Sequence, residues 1–232
     1  MSSVLHRGRV LLTTALVLAV GGCFGGSGPV GPSPGADDTV AIPPPGPTDS
    51  VTPGPGVTEP GIRMTAVPRA DGSFDIVEDV VLSTAADDLQ LQVPTSGETL
   101  PGLMTRTAPR ASDLQLLADE SVVSLDSSTV ETTRDVPLTV AATKLRLTYR
   151  LTGTTVRRTP QRPQRAAAAL RPLIAPSEGT LPTTVSVTDG LLNAVCPLLP
   201  ETRCAVGDPP HLTIRPSIPA AQALIVVQLD LP

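Results

Sequence analysis

The sequence predicts an all-β fold in which two sheets pack as a sandwich. Apolar and polar residues alternate with a period of two, proline and glycine separate most of the alternating runs, and stretches of good helix formers are almost absent. In the clearest run, Lys144–Leu151, one face carries Leu145, Leu147, Tyr149 and Leu151, and the other carries charged and hydroxyl side chains. A strand that buries one face has this pattern.

A hairpin is predicted at the start of the domain. Asp71–Gly72 is a turn signal, and it lies between the strand candidates Ile62–Val67 and Ser73–Ser83. Glu78 interrupts an otherwise apolar face of the second strand. The apolar residues of that face are Phe74, Ile76, Val80 and Leu82.

The remaining strand candidates are short and follow one another at the spacing of a β-sandwich. They are Leu89–Val93, Val122–Leu125, Leu138–Ala142, Val185–Thr188, Leu212–Arg215 and Leu224–Leu231. An immunoglobulin-like or related topology is the leading prediction for residues 62–232, although the chain has no tryptophan to bury between the sheets. Two small β-lobes divided near residues 157–180 are the alternative.

The N-terminus has the layout of a secretory signal peptide. A short basic head with Arg7 and Arg9 precedes an uncharged, largely apolar run from Val10 to Val20. As a helix this run rises roughly 16 Å, about half of the hydrocarbon core of a membrane, so it is too short to span one. We therefore expect residues 1–22 to be removed on export.

The end of this segment carries a second signal. Val20, Gly21, Gly22 and Cys23 together resemble the lipobox of bacterial lipoproteins. The resemblance implies that Cys23 carries a thioether-linked diacylglycerol, which anchors the protein to the cell membrane on its extracytoplasmic face. Two acyl chains would anchor the protein stably, because each methylene buried in the bilayer contributes about 0.8 kcal/mol. Plain secretion with an incidental Cys23, or a retained helix, are the alternatives.

Residues 23–61 are predicted to form the lipidated N-terminus and a disordered tether. Half of the residues from Phe24 to Gly61 are proline or glycine. Such a stretch cannot bury enough apolar surface to offset the entropy of ordering. As a flexible coil it spans about 35 Å, which would hold the domain away from the bilayer.

The three cysteines divide into one lipidation site and one pair. With Cys23 lipidated, Cys196 and Cys204 remain in an exported chain, which predicts a disulfide. A loop this short contributes slightly less than about 3 kcal/mol. A metal pair would need more ligands, and His211 is the histidine left after processing. We expect no metal and no cofactor.

Arginines cluster around a short alanine-rich segment, Arg165–Leu170, which is predicted to form about two helical turns between strands. This basic loop could meet anionic lipid or an acidic wall polymer. The favoured alternative is a solvated loop whose arginines pair with carboxylates elsewhere. The candidate residues are Arg157, Arg158, Arg162, Arg165 and Arg171.

No catalytic residue is predicted. The sequence has no Gly-x-Ser-x-Gly elbow, and no serine can be nominated as a partner for His211. Adjacent carboxylates on a strand point to opposite faces, so they do not form a glycosidase pair by themselves. Asp71, Asp75 and Asp79 could share an edge and attract Ca²⁺, but a solvated acidic face is the favoured interpretation.

Composition argues against several classes of binding function. The domain is close to charge balance, which argues against nucleic-acid binding, and two Phe, one Tyr and no Trp leave no platform for stacking. We expect an anchored, non-catalytic domain that binds or scaffolds an envelope protein or a wall polymer. The alternatives are an envelope hydrolase that uses unidentified carboxylates, or a carrier of an apolar ligand.

Overall fold

The computed structural model describes residues 59–93, 104–159 and 164–232. Val20–Cys23 and Arg162 lie outside these ranges, as do the signal peptide and most of the tether, so those expectations stay predictions. The described chain contains strands and one short 3₁₀ turn, Ala220–Gln222, with no α-helix. No helix in these ranges is long and apolar enough to cross a membrane.

Fourteen strands are present in the described ranges. They are β1 (Gly61–Pro68), β2 (Phe74–Leu91), β3 (Arg110–Ala118), β4 (Ser121–Val122), β5 (Arg134–Thr152), β6 (Thr155–Arg157), β7 (Gln164–Leu170), β8 (Ile174–Ala175), β9 (Pro182–Val187), β10 (Leu191–Val195), β11 (Ala205–Val206), β12 (Thr213–Ile214), β13 (Ile218–Pro219) and β14 (Ile225–Leu231).

The strands form two principal sheets. The larger has the order β13-β9-β1-β2-β5-β3-β4, with β8 added beside one end of β2. The smaller has the order β10-β14-β7-β6, and β11 pairs with β12 separately. β1 and β9 are parallel, whereas the other pairs are antiparallel. The prediction of an all-β, sandwich-like fold is confirmed.

The predicted hairpin at Asp71–Gly72 is formed by β1 and β2, which pair from Gly61↔Val81 to Pro68↔Phe74. Gly72 has φ +85°, a left-handed conformation that glycine adopts without strain. The Asp71 carboxylate accepts hydrogen bonds from the Ser73 N–H at 2.9 Å and from its hydroxyl at 2.6 Å. These two bonds lower the pKa of Asp71 and fix the turn.

One hydrophobic core joins the two sheets. The predicted alternation in Lys144–Leu151 is confirmed, because its four apolar-face residues are at most 5% exposed. β7 and β14 contribute from the smaller sheet. The residues that they supply are Ala166, Ala168, Leu170, Ile225, Val227, Leu229 and Leu231.

The helix predicted over Arg165–Leu170 is wrong, because this segment lies in β7. Ala166–Ala169 pair with β14 on one side, and Ala166–Ala168 pair with β6 on the other. Helix propensity is a weak preference that tertiary pairing overrides. All four alanines are at most 2% exposed, and their methyl groups let both faces of the sheet be covered closely.

The predicted disulfide between Cys196 and Cys204 is confirmed. Both cysteines are fully buried and belong to the main core. Cys204 N–H donates to the carbonyl of Ala194 in β10, and Val195 forms an isolated bridge with Arg203. The short loop therefore covers the outer edge of the smaller sheet.

Candidate functional site

The two longest strands, β2 and β5, separate from one another halfway along. They pair without interruption from Phe74↔Leu151 to Val81↔Lys144, and pairing resumes at Ala86↔Ala142 and Asp88↔Pro137. Residues 138–141 of β5 consequently bulge out opposite residue 87, and they are outside every strand pair in the described ranges.

Buried side chains hold the two ends of this bulge. Leu138 is 7% exposed and Ala142 is 2% exposed, and both belong to the main core. Between them, Thr139, Val140 and Ala141 are exposed, with Val140 at 76%. The bulge is thus fixed at its base and presents an apolar tip to solvent.

The hairpin between β3 and β4 forms a second wall beside the bulge. Ala118 pairs with Ser121, and the turn residues Asp119 and Glu120 have φ of 43° and 68°. Non-glycine residues are uncommon in this left-handed region, which costs of order 1 kcal/mol per residue. Such conformations persist where neighbouring contacts hold them.

Asp119 supplies those contacts by joining the hairpin to β5. Its N–H donates to the Lys144 carbonyl at 2.8 Å, and its carboxylate Oδ1 accepts from the Lys144 N–H at 2.9 Å. Lys144 lies three residues after the end of the bulge, so the hairpin is attached to β5 close to the bulge.

Between the walls lies a groove of about 300 Å³, here called the β4–β5 groove. It is lined by Ala118, Asp119, Ser121–Ser124 and Pro137–Ala142. Val122 on one wall is 81% exposed and Val140 on the other is 76% exposed, the highest values among the large apolar side chains of the described residues. The lining offers aliphatic contacts and hydroxyl groups, and the Asp119 carboxylate is already hydrogen-bonded to Lys144.

A buried carboxylate is the second notable feature, and sequence reasoning did not identify it as a site. Glu78 in β2 is fully buried and accepts hydrogen bonds from the Tyr149 hydroxyl and from the Leu173 N–H at 2.6 Å. The Ile174 N–H lies 3.4 Å from its second oxygen. Glu78 therefore ties both central strands to the segment that leads into β8.

Burial dominates the electrostatics of this group. Desolvation raises the pKa of Glu78 to about 7, although the hydrogen bonds from Tyr149, Leu173 and Ile174 lower it. Burial and the neighbouring Glu78 raise the pKa of Tyr149 well above its usual value. Both oxygens of the carboxylate already have protein donors, so the group acts as a structural link. In the sequence, the position of Glu78 within an otherwise apolar strand face is the feature that could have identified it.

The candidate arginines that the structure describes, Arg157, Arg158, Arg165 and Arg171, are spread over β6, β7 and the residues beside them. Arg158 and Arg165 line a groove of about 400 Å³, and Arg165 lies 3.6 Å from Asp230. Arg157, in β6, donates to the Ala70 carbonyl at 3.2 Å. Arg171 follows the other end of β7, roughly 20 Å from Arg165 at ~3.3 Å per strand residue. Partial burial lowers the pKa of Arg171.

Two acidic residues of β2, Asp75 and Asp79, pair with arginines. Asp75 lies 2.6 Å from Arg69 and 3.3 Å from Arg150, and Asp79 lies 3.7 Å from Arg146. The favoured interpretation as a solvated face is consistent with these pairs. No group of three or more His, Cys, Asp or Glu in the described ranges could hold a metal ion.

Carboxylates also gather in a groove of about 610 Å³ between β2 and the residues after β8. Asp87, Asp88, Asp135 and Glu178 line it, and the Gln90 amide donates to Asp135 at 3.3 Å. His211 is exposed and lies apart from this set, in the turn before β12. The main-chain N–H of His211 donates to the main-chain carbonyl of Asp208 at 2.8 Å.

Comparison with known proteins gives no family. No protein-family model and no curated protein matches the sequence. Among solved structures, the chain is similar to an aminopeptidase N family protein from Idiomarina loihiensis, with TM-score 0.41 and 9% identity, over 73% of this chain and 29% of that chain.

It is also similar to an M1 zinc metallopeptidase from Deinococcus radiodurans in two structures. A mutant bound to a Tyr-Ser-Ala substrate gives TM-score 0.26 and 17% identity, over 73% of this chain and 38% of that chain. The other structure gives TM-score 0.24 and 17% identity, over 73% of this chain and 37% of that chain. The chain spans less than two fifths of the length of the matched chain in each of these three structures. Similarity at this level assigns no function.

Proposed function

We propose that this protein is a membrane-anchored extracytoplasmic lipoprotein whose non-catalytic β-domain binds or scaffolds another cell-envelope component through the β4–β5 groove. The observation that supports this function is that Val122 and Val140, the two most exposed large apolar side chains of the described residues, face one groove from walls that buried residues and Asp119 hold in place.

The chemistry of the groove favours association. Covering an exposed valine stabilises a complex by on the order of 1 kcal/mol, so an interface that covers both side chains gains from each. The hydrogen-bonded Asp119 carboxylate has one oxygen engaged by the Lys144 N–H, and the remaining lining is apolar or carries hydroxyl groups. Glu78, whose pKa is raised by burial, lies in the core with its hydrogen-bond donors and away from this groove's lining.

The proposed anchor would strengthen a weak contact. A diacylglyceryl group on Cys23 and a tether of about 35 Å reach confine the domain to a thin layer above the bilayer. The effective concentration of a partner in the same layer is then far higher than in free solution. A groove of modest size suffices for specific binding under these conditions.

Photo-crosslinking in intact cells tests the proposed function. A photoreactive residue at position 122 or 140 should give the same crosslinked partner, whereas one at Val206, which is 50% exposed in β11, should not. Cys23→Ala should release the protein from the membrane or stall its processing, and release should reduce the crosslinked yield. Equal yields from all three positions, or membrane retention of a processed Cys23 variant, would contradict the proposal.

A second candidate function is an envelope hydrolase. It is favoured by the groove lined by Asp87, Asp88, Asp135 and Glu178, because such enzymes use two carboxyl groups in different protonation states. The discriminating measurement is the release of soluble fragments from purified cell wall by the mature chain. Release that is lost in Asp88→Asn and Asp135→Asn would replace the binding function, and no release by the native chain would remove this alternative.

A further inference from the structure

The main chain of the bulge distinguishes the β4–β5 groove from an ordinary apolar patch. Residues 139–141 are extended, but they lie between the two stretches that pair with β2. On the other side of β5, pairing with β3 runs only from Thr152 to Leu145. An extended segment outside its own ladders is a template for a strand from another chain.

The strands at the sheet edges are poorer templates. β4 and β13, at the ends of the larger sheet, have two residues each, β6 has three and ends at the charged Arg157, and main-chain contacts from the Cys196–Cys204 loop cover the edge strand β10. Proteins also protect edges with charged side chains. Residues 136–143 contain no charged residue, and the nearest charges along β5 are Asp135 and Lys144.

The size and charge of the groove define what fits it. A volume of about 300 Å³ is at the lower end of the range for ligand pockets, and a stable interface between whole domains buries about 800 Å² on each partner. The groove therefore suits a few aliphatic side chains, such as alternate residues of one short strand. The main-chain N–H of Lys144 already holds one oxygen of the Asp119 carboxylate, and the other lining residues are uncharged, which favours an uncharged ligand over most of the groove.

We infer that the occupant is an extended, uncharged, aliphatic segment of a partner protein, which adds to β5 as a strand alongside Thr139–Ala141. Its alternate side chains lie in the β4–β5 groove against Val122 and Val140. This inference rests on the proposed function and specifies how the partner is recognised.

Amide hydrogen exchange of the ¹⁵N-labelled mature chain tests strand addition. The probe is a seven-residue peptide of alternating Thr and Val, N-methylated at alternate residues so that it cannot stack on itself. At millimolar probe we expect at least one amide of Thr139–Ala141 to exchange at least five-fold more slowly. The same peptide N-methylated at every residue, whose methyl groups block strand pairing along both edges, should leave these amides unchanged.

Two variants separate the main chain from the side chain. Val140→Pro removes an N–H and should abolish the slowing at Thr139 and Ala141, whereas Val140→Thr keeps the N–H and the branched shape and should retain it. A native circular-dichroism spectrum and urea midpoint for Val140→Pro exclude loss of the fold as the cause.

Three results would overturn strand addition. The first is that exchange of the Thr139–Ala141 amides is not slowed at several millimolar probe. The second is that the fully methylated peptide slows it equally. The third is that exchange slows with rising protein concentration when no peptide is present. The last would identify a second copy as the occupant. If crosslinking from position 140 still captures an envelope partner, the proposed function stands and only its mode of recognition is wrong.

Discussion

The two halves of the β2–β5 pair use the same strands for opposite purposes. From Phe74 to Val81, β2 follows β5 residue by residue, and Glu78 and Tyr149 are sealed inside. Beyond Val81 the strands part, and an uncharged tip of β5 is turned outward. Continuous pairing buries side chains and supplies stability, whereas interrupted pairing leaves main chain unpaired and apolar side chains exposed.

The largest expected contrast between the halves is in core packing. Leu147→Ala, in the paired half, removes a fully buried side chain and should lower the free energy of unfolding by about 2–5 kcal/mol. Val140→Ala, in the bulge, should change it by less than about 0.5 kcal/mol. Urea denaturation of the two variants measures both values. Similar losses would show that the bulge belongs to the folding core.

The next contrast is in how stability depends on pH, and we expect this dependence to come from Glu78 in the paired half. The pKa of Glu78 is about 7 in the folded state against 4.5 for an unburied carboxyl, so the folded protein holds the proton more tightly. The stabilisation is complete below about pH 4.5 and is lost as the pH rises through 7, by about 3 kcal/mol. Glu78→Gln should flatten this change in urea midpoints between pH 5 and pH 8. An equally steep profile in the variant would assign the titration to another group.

A smaller effect is expected at the hydroxyl that faces this carboxylate. Tyr149→Phe leaves Glu78 without one of its donors and should cost about 1–3 kcal/mol at pH 8, where the carboxylate is ionised. At pH 5 the loss should be smaller, because a neutral carboxyl needs the donor less. Thermal unfolding at both pH values measures the difference, and a loss that is larger at pH 5 would contradict the assigned role.

The smallest effect is expected beside the bulge. Glu120→Gly replaces a residue at φ 68° with one that adopts this conformation freely, which should stabilise the protein by a few tenths to about 1 kcal/mol. Leu116→Gly, at a buried strand position that pairs regularly with Leu147, is the control and should destabilise. If Glu120→Gly lowers the urea midpoint, the turn is not strained.

Period-two alternation predicted the strands that bury one face, such as β1, β2, β5 and β14. β3 was missed because Asp113, at φ 56°, sits in an irregularity between Ser112 and Gln115 that breaks the alternation. β7 was mistaken for a helix because alanine favours helices unless pairing partners are present, and those partners come from distant segments. The strands predicted near Val122 and Leu212 shrink to two residues each.

The candidate site was less accessible to sequence reasoning than the fold. Leu138–Ala142 was predicted as a strand, but the exposure of Val140 depends on where β2 departs from β5, which no local pattern records. Glu78 was visible as an interruption in an apolar face. Its donors in Leu173 and Ile174 lie 95 and 96 residues away along the chain, so only the folded structure shows how the charge is accommodated.

This long separation gives Glu78 a part in folding as well as in the folded state. A chain in which the segment at Leu173–Ile174 has not yet docked leaves a carboxylate on an apolar strand face without its amide donors. Ionised, that group attracts water and opposes burial of the surrounding surface. Half-assembled forms are thereby penalised, and the residue that weakens the protein at neutral pH helps to select one arrangement of the sheets over its competitors.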